Sequence, residues 1–485
     1  MLKVLKFGGT SVGSLDRIQN VANIIKKLKD NGDSIVAVVS AMSGETNKLI
    51  EYASTFSSKP NEKEMDTLLS SGERVTSALL SIALNEQGYP TTSMSGREAG
   101  IITDTSHTKA RIERIDTEKM KTTLDDGNII IVGAGASGLA AAKVLEQNNI
   151  DYLILEATNR YGGRLKKDTT LADFPVDIGA EWLHSAPITL NKLKGKLGKE
   201  IDEELIPYHL DSTASWDGKE YKVDPHWQNN FMYNFLPESK FKNSTWYDFI
   251  NENIAKNVKH KIQFNSPVNA IDYSGNNVIV KTTNGKTYEA NRVLVTVSIG
   301  VLKSNMITFT PKMNEEKKKA IETITFHPGF KVAMNFSEKF YPDAITCKVE
   351  NGEKGFYDIA FKKDSQSNVL GFLCTGNETQ KYYNLKSEQE IISSLLEELD
   401  EMFDGKASTF YSGEYILENW GQYEFTQGTW TQAINEKRSN LKVVNQPLGN
   451  KIYFAGEIYD TYQQMGVPGA ILSGYYAIDK LLTDK

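Results

Sequence analysis

Two kinds of hydrophobic pattern alternate along the chain, and together they predict most of its elements. Short, mostly apolar runs at residues 4–7, 34–40, 129–132 and 152–155 read as strands, the second of them of the buried type. Between them lie stretches with helical periodicity, over roughly residues 14–31, from about Ser70 onward, and after Ala136. Later runs predict strands at 278–282, 288–297, 331–336, 356–362 and 369–375, with helices at 246–257, 314–324 and 387–402 and a last one ending near Leu482. The recurring order of strand, helix and strand predicts an α/β class with parallel sheet.

One stretch organises this pattern. Residues 128–164 read NIIIVGAGASGLAAAKVLEQNNIDYLILEATNRYGGR: an apolar strand, a turn with Gly133, Gly135 and Gly138, a helix, a second strand, and Glu156 18 residues after Gly138. Around a dinucleotide, the first glycine makes the tight turn, the second admits the pyrophosphate and the third lets helix and strand pack closely. Phosphate would face a helix N-terminus, where N–H groups and the dipole favour negative charge. Glu156 would accept hydrogen bonds from ribose hydroxyls. The candidate cofactor-binding positions are therefore Gly133, Gly135, Ala136, Ser137, Gly138, Glu156, Ala157 and Thr158.

Composition narrows the picture modestly. A chain of 485 residues predicts two or three domains. A net charge of -7 argues against nucleic acid as the main partner. Two cysteines, Cys347 and Cys374, make no disulfide framework and fit a reducing compartment, so a cytoplasmic location is expected. Gly8 and Gly9 interrupt the first apolar run, so no signal peptide is read there. With no run of about 18 apolar residues, neither a membrane span nor a membrane partner is expected.

The first quarter carries its own glycine turn after a strand. KFGGTSV (6–12), SAMSGETNKL (40–49), LSSGERVTSALL (69–80) and GIITD (100–104) resemble aspartate kinase of the amino acid kinase family. The resemblance implies that Lys6 faces transferring phosphate and that Thr46 and Glu73 hold aspartate. It covers only the first half of a kinase domain, and no GRGGSD-type loop follows. Since phosphoryl transfer depends on positioning ATP and metal, a retained scaffold for folding, dimerisation or regulation is the favoured reading. The expected layout is a partial kinase-like α/β segment at 1–117 and a polar linker at 118–127.

From residue 128 to the C-terminus the chain resembles the flavin-dependent amine oxidases, the family of monoamine oxidases, polyamine oxidases and flavin histone demethylases. GAGASGL, LEATNRYGGR (155–164), DIGAEWLH (177–184), FNSPVNAID (264–272), VTVSIGVLK (295–303), FHPGFKVAMNFSEKFY (326–341), YFAGE and GAILSG carry the likeness in order. It implies a Rossmann-like FAD-binding part, at about 128–190, 262–305 and 405–485. A mixed-sheet α+β substrate part, at about 191–261 and 306–404, is interleaved with it. It also implies Arg164 near the pyrophosphate, the Val268 backbone at the adenine, residues 179–182 beside the flavin ring, and Glu457 and a helix starting near Gly466 at the flavin's N1/C2 edge.

For chemistry, the resemblance singles out Lys331, where a lysine holds water against flavin N5. His184 resembles the tunnel histidine of polyamine oxidases, and Trp430 an aromatic wall able to attract an amine. Gly466 stands where a second aromatic is common. Thr429 occupies the place where monoamine oxidases attach flavin through cysteine, so FAD is expected to be non-covalent. Ser298 replaces a common proline. The expected activity is FAD-dependent oxidation of a small amine, a polyamine or diamine first, with oxygen as acceptor and peroxide as product. A monoamine or amino acid oxidase is the alternative, as is a kinase-related regulatory protein with a passive flavin part. A homodimer is compatible with all of these.

Overall fold

The computed structural model describes residues 2–31, 33–89, 91–116, 129–148, 150–195, 202–224, 238–431, 438–459 and 466–484. The chain divides into two compact units, Met1–Gly127 and Asn128–Lys485. The expected linker at 118–127 lies outside the described residues.

In the first unit, strands β1 (Leu2–Phe7) and β2 (Ser34–Val39) pair in parallel through helix α1 (Leu15–Asp30). Helices α2 (Glu45–Phe56) and α3 (Glu62–Glu86) follow, then a short hairpin of β3 (Ile101–Thr103) and β4 (Ile112–Ile115). Val12, Ile18, Val21, Ile25, Leu80 and Leu84 form its core. Helix α3 starts at Glu62, eight residues before the predicted start near Ser70. Asn61 caps it by accepting from the Lys63 and Glu64 amides, while Ser70 and Ser71 turn their hydroxyls back to the Thr67 and Leu68 carbonyls inside the helix.

The second unit opens with β5 (Ile129–Val132), α4 (Ala136–Gln147) and β6 (Tyr152–Leu155). It continues with β7 (Trp182–Leu183), β8 (Thr213–Trp216), β9 (Tyr221–Val223), β10 (Ser239–Phe241), β11 (Ile262–Gln263) and β12 (Arg292–Val295). Next come β13 (Gly329–Phe336), β14 (Ala344–Cys347), β15 (Lys354–Asp358), β16 (Asn368–Thr375), α5 (Glu388–Phe403) and β17 (Tyr411–Glu418). The last strand is β18 (Ile452–Phe454) and the last helix α6 (Val467–Thr483).

Five strands form one parallel sheet in the order β11, β6, β5, β12, β18. All four residues of β5 are buried, because helices pack on one face and the 268–324 region on the other. Since β6 and β12 flank β5, the connections leave the sheet in opposite directions there and open a crevice at the strands' C-terminal ends. The predicted strand 288–297 is two strands: Thr287–Ala290 pairs antiparallel with Val278–Thr282, and β12 then joins the parallel sheet beside β5. An apolar run does not encode which neighbour it pairs with.

The second large sheet has seven strands in the order β9, β8, β14, β15, β16, β13, β17, with α5 packed against it. Strand β13, next to the edge of this sheet, carries Lys331, which is 2% exposed. Strand β17, from the stretch expected to serve the flavin part, completes the edge of this sheet.

Candidate active site

The glycine turn between β5 and α4 is built by close contact. Gly133 has φ +107, a conformation that side-chain-bearing residues rarely adopt, and a Cβ on Gly138 would lie 2.0 Å from the Gly133 carbonyl oxygen. Gly135 begins α4 without a side-chain cap, and no protein atom lies within 4 Å of where its Cβ would sit. The first turn of α4 therefore presents amides to open space, which suits an anion. Glu156 ends β6 with its carboxylate buried; it accepts from the Ala134 amide at 2.8 Å and from the Thr158 amide and hydroxyl at 2.9 and 2.8 Å. The acid thus ties the phosphate turn to the following turn as well as facing the crevice. Arg160 braces that turn from within, donating to the carbonyls of Gly163 at 2.6 Å and Leu165 at 3.0 Å.

All of this lines one cavity of about 1370 Å³, large enough for a dinucleotide and a small substrate together. Gly133, Gly135, Ala136, Ser137, Glu156, Ala157 and Thr158 line it, and Gly138 supports it from behind. Val268 lies on the wall reached through Ser266, whose amide donates to the Glu156 carbonyl at 2.8 Å. At the far side of the turn, α6 starts at Gly466 with no side-chain cap and with Pro468 in its first turn. Two uncapped helix N-termini thus meet one cavity. Arg164 lines it too, donating to Glu457 Oε1 at 2.8 Å and to the Thr429 carbonyl. These donors, the open glycine and the ribose-facing acid fit a flavin dinucleotide.

Lys331 points into a buried charge cluster. Its Nζ donates to Asp177 O at 2.5 Å and Glu181 Oε2 at 2.6 Å, with Gly179 O at 3.4 Å. Lys240, on β10, reaches the other carboxylate oxygen, Glu181 Oε1, at 2.5 Å, and the Tyr357 hydroxyl donates to Oε2 at 2.9 Å. Burial opposes charge on Glu181, but Lys240 and Lys331 outweigh it and hold the carboxyl down to about 2. Asp177 behaves oppositely: burial, and then the Glu181 charge, push it well above the usual carboxylate range, and its Oδ1 is buried without a hydrogen-bond partner. Burial and the nearby Lys240 lower Lys363, which donates to the Phe241 and Lys242 carbonyls, to about 8. Sequence reasoning placed residues 179–182 in this region but did not single out Glu181, Lys240 or Asp177. Lys240 lies 91 residues before Lys331, and only the pairing of β10 with β7 carries it to Glu181.

Beyond this cluster the cavity changes character. His184 Nδ1 lies 2.8 Å from Glu238 Oε1, and both line the wall. Glu353 lines it as well; protein surrounds it on most sides while its side chain opens to the cavity, and burial pushes its carboxyl up against the opposing pull of His184 and His327. Trp430, Tyr423, Trp182, Tyr208 and Tyr357 supply aromatic surface. Trp430 is placed through its carbonyl, which accepts from the His327 amide at 3.3 Å. Ser298, where the family resemblance led to a proline, caps the helix Ile299–Lys303 and donates to the Thr426 carbonyl at 2.5 Å.

The profile of the family "Flavin containing amine oxidoreductase" matches residues 136–246 and 247–482. The chain belongs to this family. Its fold agrees with that assignment: a putrescine oxidase bound to putrescine superposes with a TM-score of 0.60 at 16% identity, over 74% of this chain and 99% of that one. Cyclohexylamine oxidase from Brevibacterium oxydans IH-35A gives the same TM-score, identity and coverage. The profile "Amino acid kinase family" matches residues 1–183, overlapping the first over residues 136–183, from the start of α4 onward. The chain is also similar to aspartate kinase of Pseudomonas fluorescens (strain SBW25), 48% identical over 171 residues, which are 35% of this chain and 38% of that protein. An aspartokinase of Geobacillus stearothermophilus is 48% identical over 136 residues, 28% of this chain and 33% of that protein. The chain thus spans about a third of the length of these kinases.

Among the described residues no group of three or more His, Cys, Asp or Glu could hold a metal ion, and no helix is long and apolar enough to cross a membrane.

Proposed function

We propose that the protein oxidises a small diamine or polyamine with non-covalently bound FAD and oxygen. The observation that supports this substrate class is the continuity of one cavity from the phosphate turn to a wall bearing Glu238 and Glu353. FAD bound there would accept a hydride from the carbon next to an amine nitrogen and pass the electrons to oxygen, giving peroxide. The chain's own work is orientation. The α4 N-terminus, Glu156 and Arg164 hold the cofactor, and Thr429, in place of an attaching cysteine, leaves the flavin non-covalent.

Trp430 and the tyrosines shape the amine's approach, and its free base reacts while a second, cationic nitrogen faces the carboxylates. His184, in contact with Glu238, would set the orientation of that carboxylate. Lys331 would hold a water beside the flavin ring. The similarly folded putrescine and cyclohexylamine oxidases favour amines over amino acids without choosing between them.

Purified protein tests the reading. The expected result is a yellow protein, released from its FAD by denaturation, bleached anaerobically by putrescine or spermidine and giving peroxide in air. Colourless protein, or one bleached only by amino acids, would overturn it. For the first unit we favour a scaffold role: Glu73 accepts from the Ala41 amide at 3.4 Å, and purified protein is expected not to consume ATP with aspartate.

A further inference from the structure

Lys331, the lysine singled out for chemistry, does not stand alone at the cavity wall. Its ammonium and that of Lys240 share one carboxylate, Glu181, each on its own oxygen, at 2.6 and 2.5 Å. All three are nearly sealed: Lys240 is 1% exposed, Lys331 2% and Glu181 4%. Two cations on one anion leave a net charge of +1, and the other titratable groups facing the cluster do not cancel it. Burial raises the Asp177 carboxyl and its buried Oδ1 has no hydrogen-bond partner, both of which favour its neutral form; Tyr357 is likewise raised by burial, and Lys363 can only add positive charge. Rings surround the two cations: Lys240 Nζ lies 5.4 to 5.8 Å from the ring centroids of Trp182, Tyr208 and Tyr357, and Lys331 Nζ lies 5.7 Å from Trp182 and from Tyr357. A pair of opposite charges would have satisfied a buried lysine. The additional cation needs another reason.

We propose that Glu181 and Lys240 are positioning residues that clamp Lys331 and impose one net positive charge on the cavity wall carrying Gly179, Ala180 and Trp182, which raises the reduction potential of a flavin held there. The inference rests on the reading that this cavity binds FAD. In a poorly screened interior a fixed charge beside a redox group favours the more negative form of that group. Lys240 itself does not line the cavity, so it acts only through Glu181 and through its field.

The test is the midpoint potential of the purified, FAD-loaded protein, measured by spectrophotometric titration against reference dyes. Lys240→Met, which makes the cluster neutral, is expected to shift the two-electron equilibrium about tenfold toward oxidised flavin, about 30 mV. Lys240→Arg keeps the charge and should keep the potential. The double variant Lys240→Met/Glu181→Gln restores the net charge to +1 and should return the potential toward wild type. A flavin-loaded Lys240→Met protein with the wild-type potential, or a double variant no closer to wild type than the single one, overturns the proposal. If Lys240→Met does not retain flavin, Glu181→Gln carries the test. Its two uncompensated lysines should raise the potential, and an equal or lower value overturns the proposal. Wild-type protein that binds no flavin would instead sink the cofactor reading.

Discussion

Arg164 donates to Glu457 at 2.8 Å, joining the turn after β6 to the segment that leads from β18 into α6. The two residues are 293 positions apart, and the Arg164 guanidinium also lies 5.5 Å from the Phe326 ring centroid. The pair therefore fixes both uncapped helix ends relative to each other around the phosphate region. Arg164→Ala removes a charge-assisted bond of about 1.5–3 kcal/mol, so FAD affinity should fall on the order of ten- to hundredfold. Reconstituting the apoprotein and following quenching of FAD fluorescence measures it. An unchanged Kd would take Arg164 out of the cofactor site.

Helices α4 and α6 cross at a contact that only glycine permits. A Cβ on Gly474 would lie 2.3 Å from the Ser137 carbonyl oxygen, a backbone atom that cannot swing away. Ser473, beside it, accepts from the Gly456 amide at 2.9 Å, so the same stretch anchors the turn before Glu457. Gly474→Ala should push α6 outward and cost about 1–3 kcal/mol, read as a lower Tm in thermal unfolding. FAD should restore part of the loss through binding to the folded state. A Tm equal to wild type would mean that the contact relaxes freely.

Much of this was legible before the structure. The phosphate turn could be read because its chemistry is local: three glycines, a strand, a helix and an acid lie within a few dozen residues. The Lys331 cluster could not be assembled in that way. Glu181 lies just before β7, Lys240 on β10 and Tyr357 on β15, and no periodicity tells which of many lysines will face which buried acid. Nor could the break at Asn291 be seen, where an apolar run leaves one sheet and enters another. Local signals survive in sequence, whereas register and sheet exchange are decided by tertiary packing.

Glu238 and Glu353 make a specificity test. If they receive the distal cation of a diamine, Glu353→Gln should lower kcat/KM for putrescine by on the order of ten- to hundredfold, the range of a lost charged hydrogen bond. A monoamine of similar length has no distal cation to lose, so its kcat/KM should change by less than about threefold. Initial rates with the two substrates decide it. Equal losses for both would point to general damage to the cavity.

Asp177 gives a dependence on pH with a definite sign. Its carboxyl is raised well above 3.8 in the folded protein, chiefly by burial. Below that value both folded and unfolded chains hold the proton, and replacing Asp177 by Asn changes little through this group. As pH rises the unfolded chain ionises first, so wild type loses stability until the folded carboxyl titrates as well. The Asn variant is exempt. Its stability relative to wild type, read from Tm, should therefore increase as pH rises above 4, at about 1.4 kcal/mol per pH unit until the folded carboxyl titrates. Parallel Tm curves would show that Asp177 ionises normally in the fold.

Lys331 itself is tested by separating the two halves of the reaction. Its ammonium is fixed by Asp177 O and Glu181, and its third donor makes only a long contact to Gly179 O at 3.4 Å, which a water or cofactor atom on the cavity side would displace. Lys331→Met keeps length and apolar bulk but cannot donate. Anaerobic bleaching by amine depends mainly on how the substrate is seated, so it should slow modestly. Reaction of the reduced protein with oxygen should slow on the order of 10²-fold, the lower end of what one positioned proton-handling group contributes. Stopped-flow absorbance, first with amine and then with oxygen, reads the two steps apart. Because the variant also removes one of Glu181's two cations, Glu181→Gln should be combined with it. If the double variant recovers its flavin content and thermal stability but not its oxygen rate, the loss belongs to the Lys331 ammonium and not to a stranded buried carboxylate.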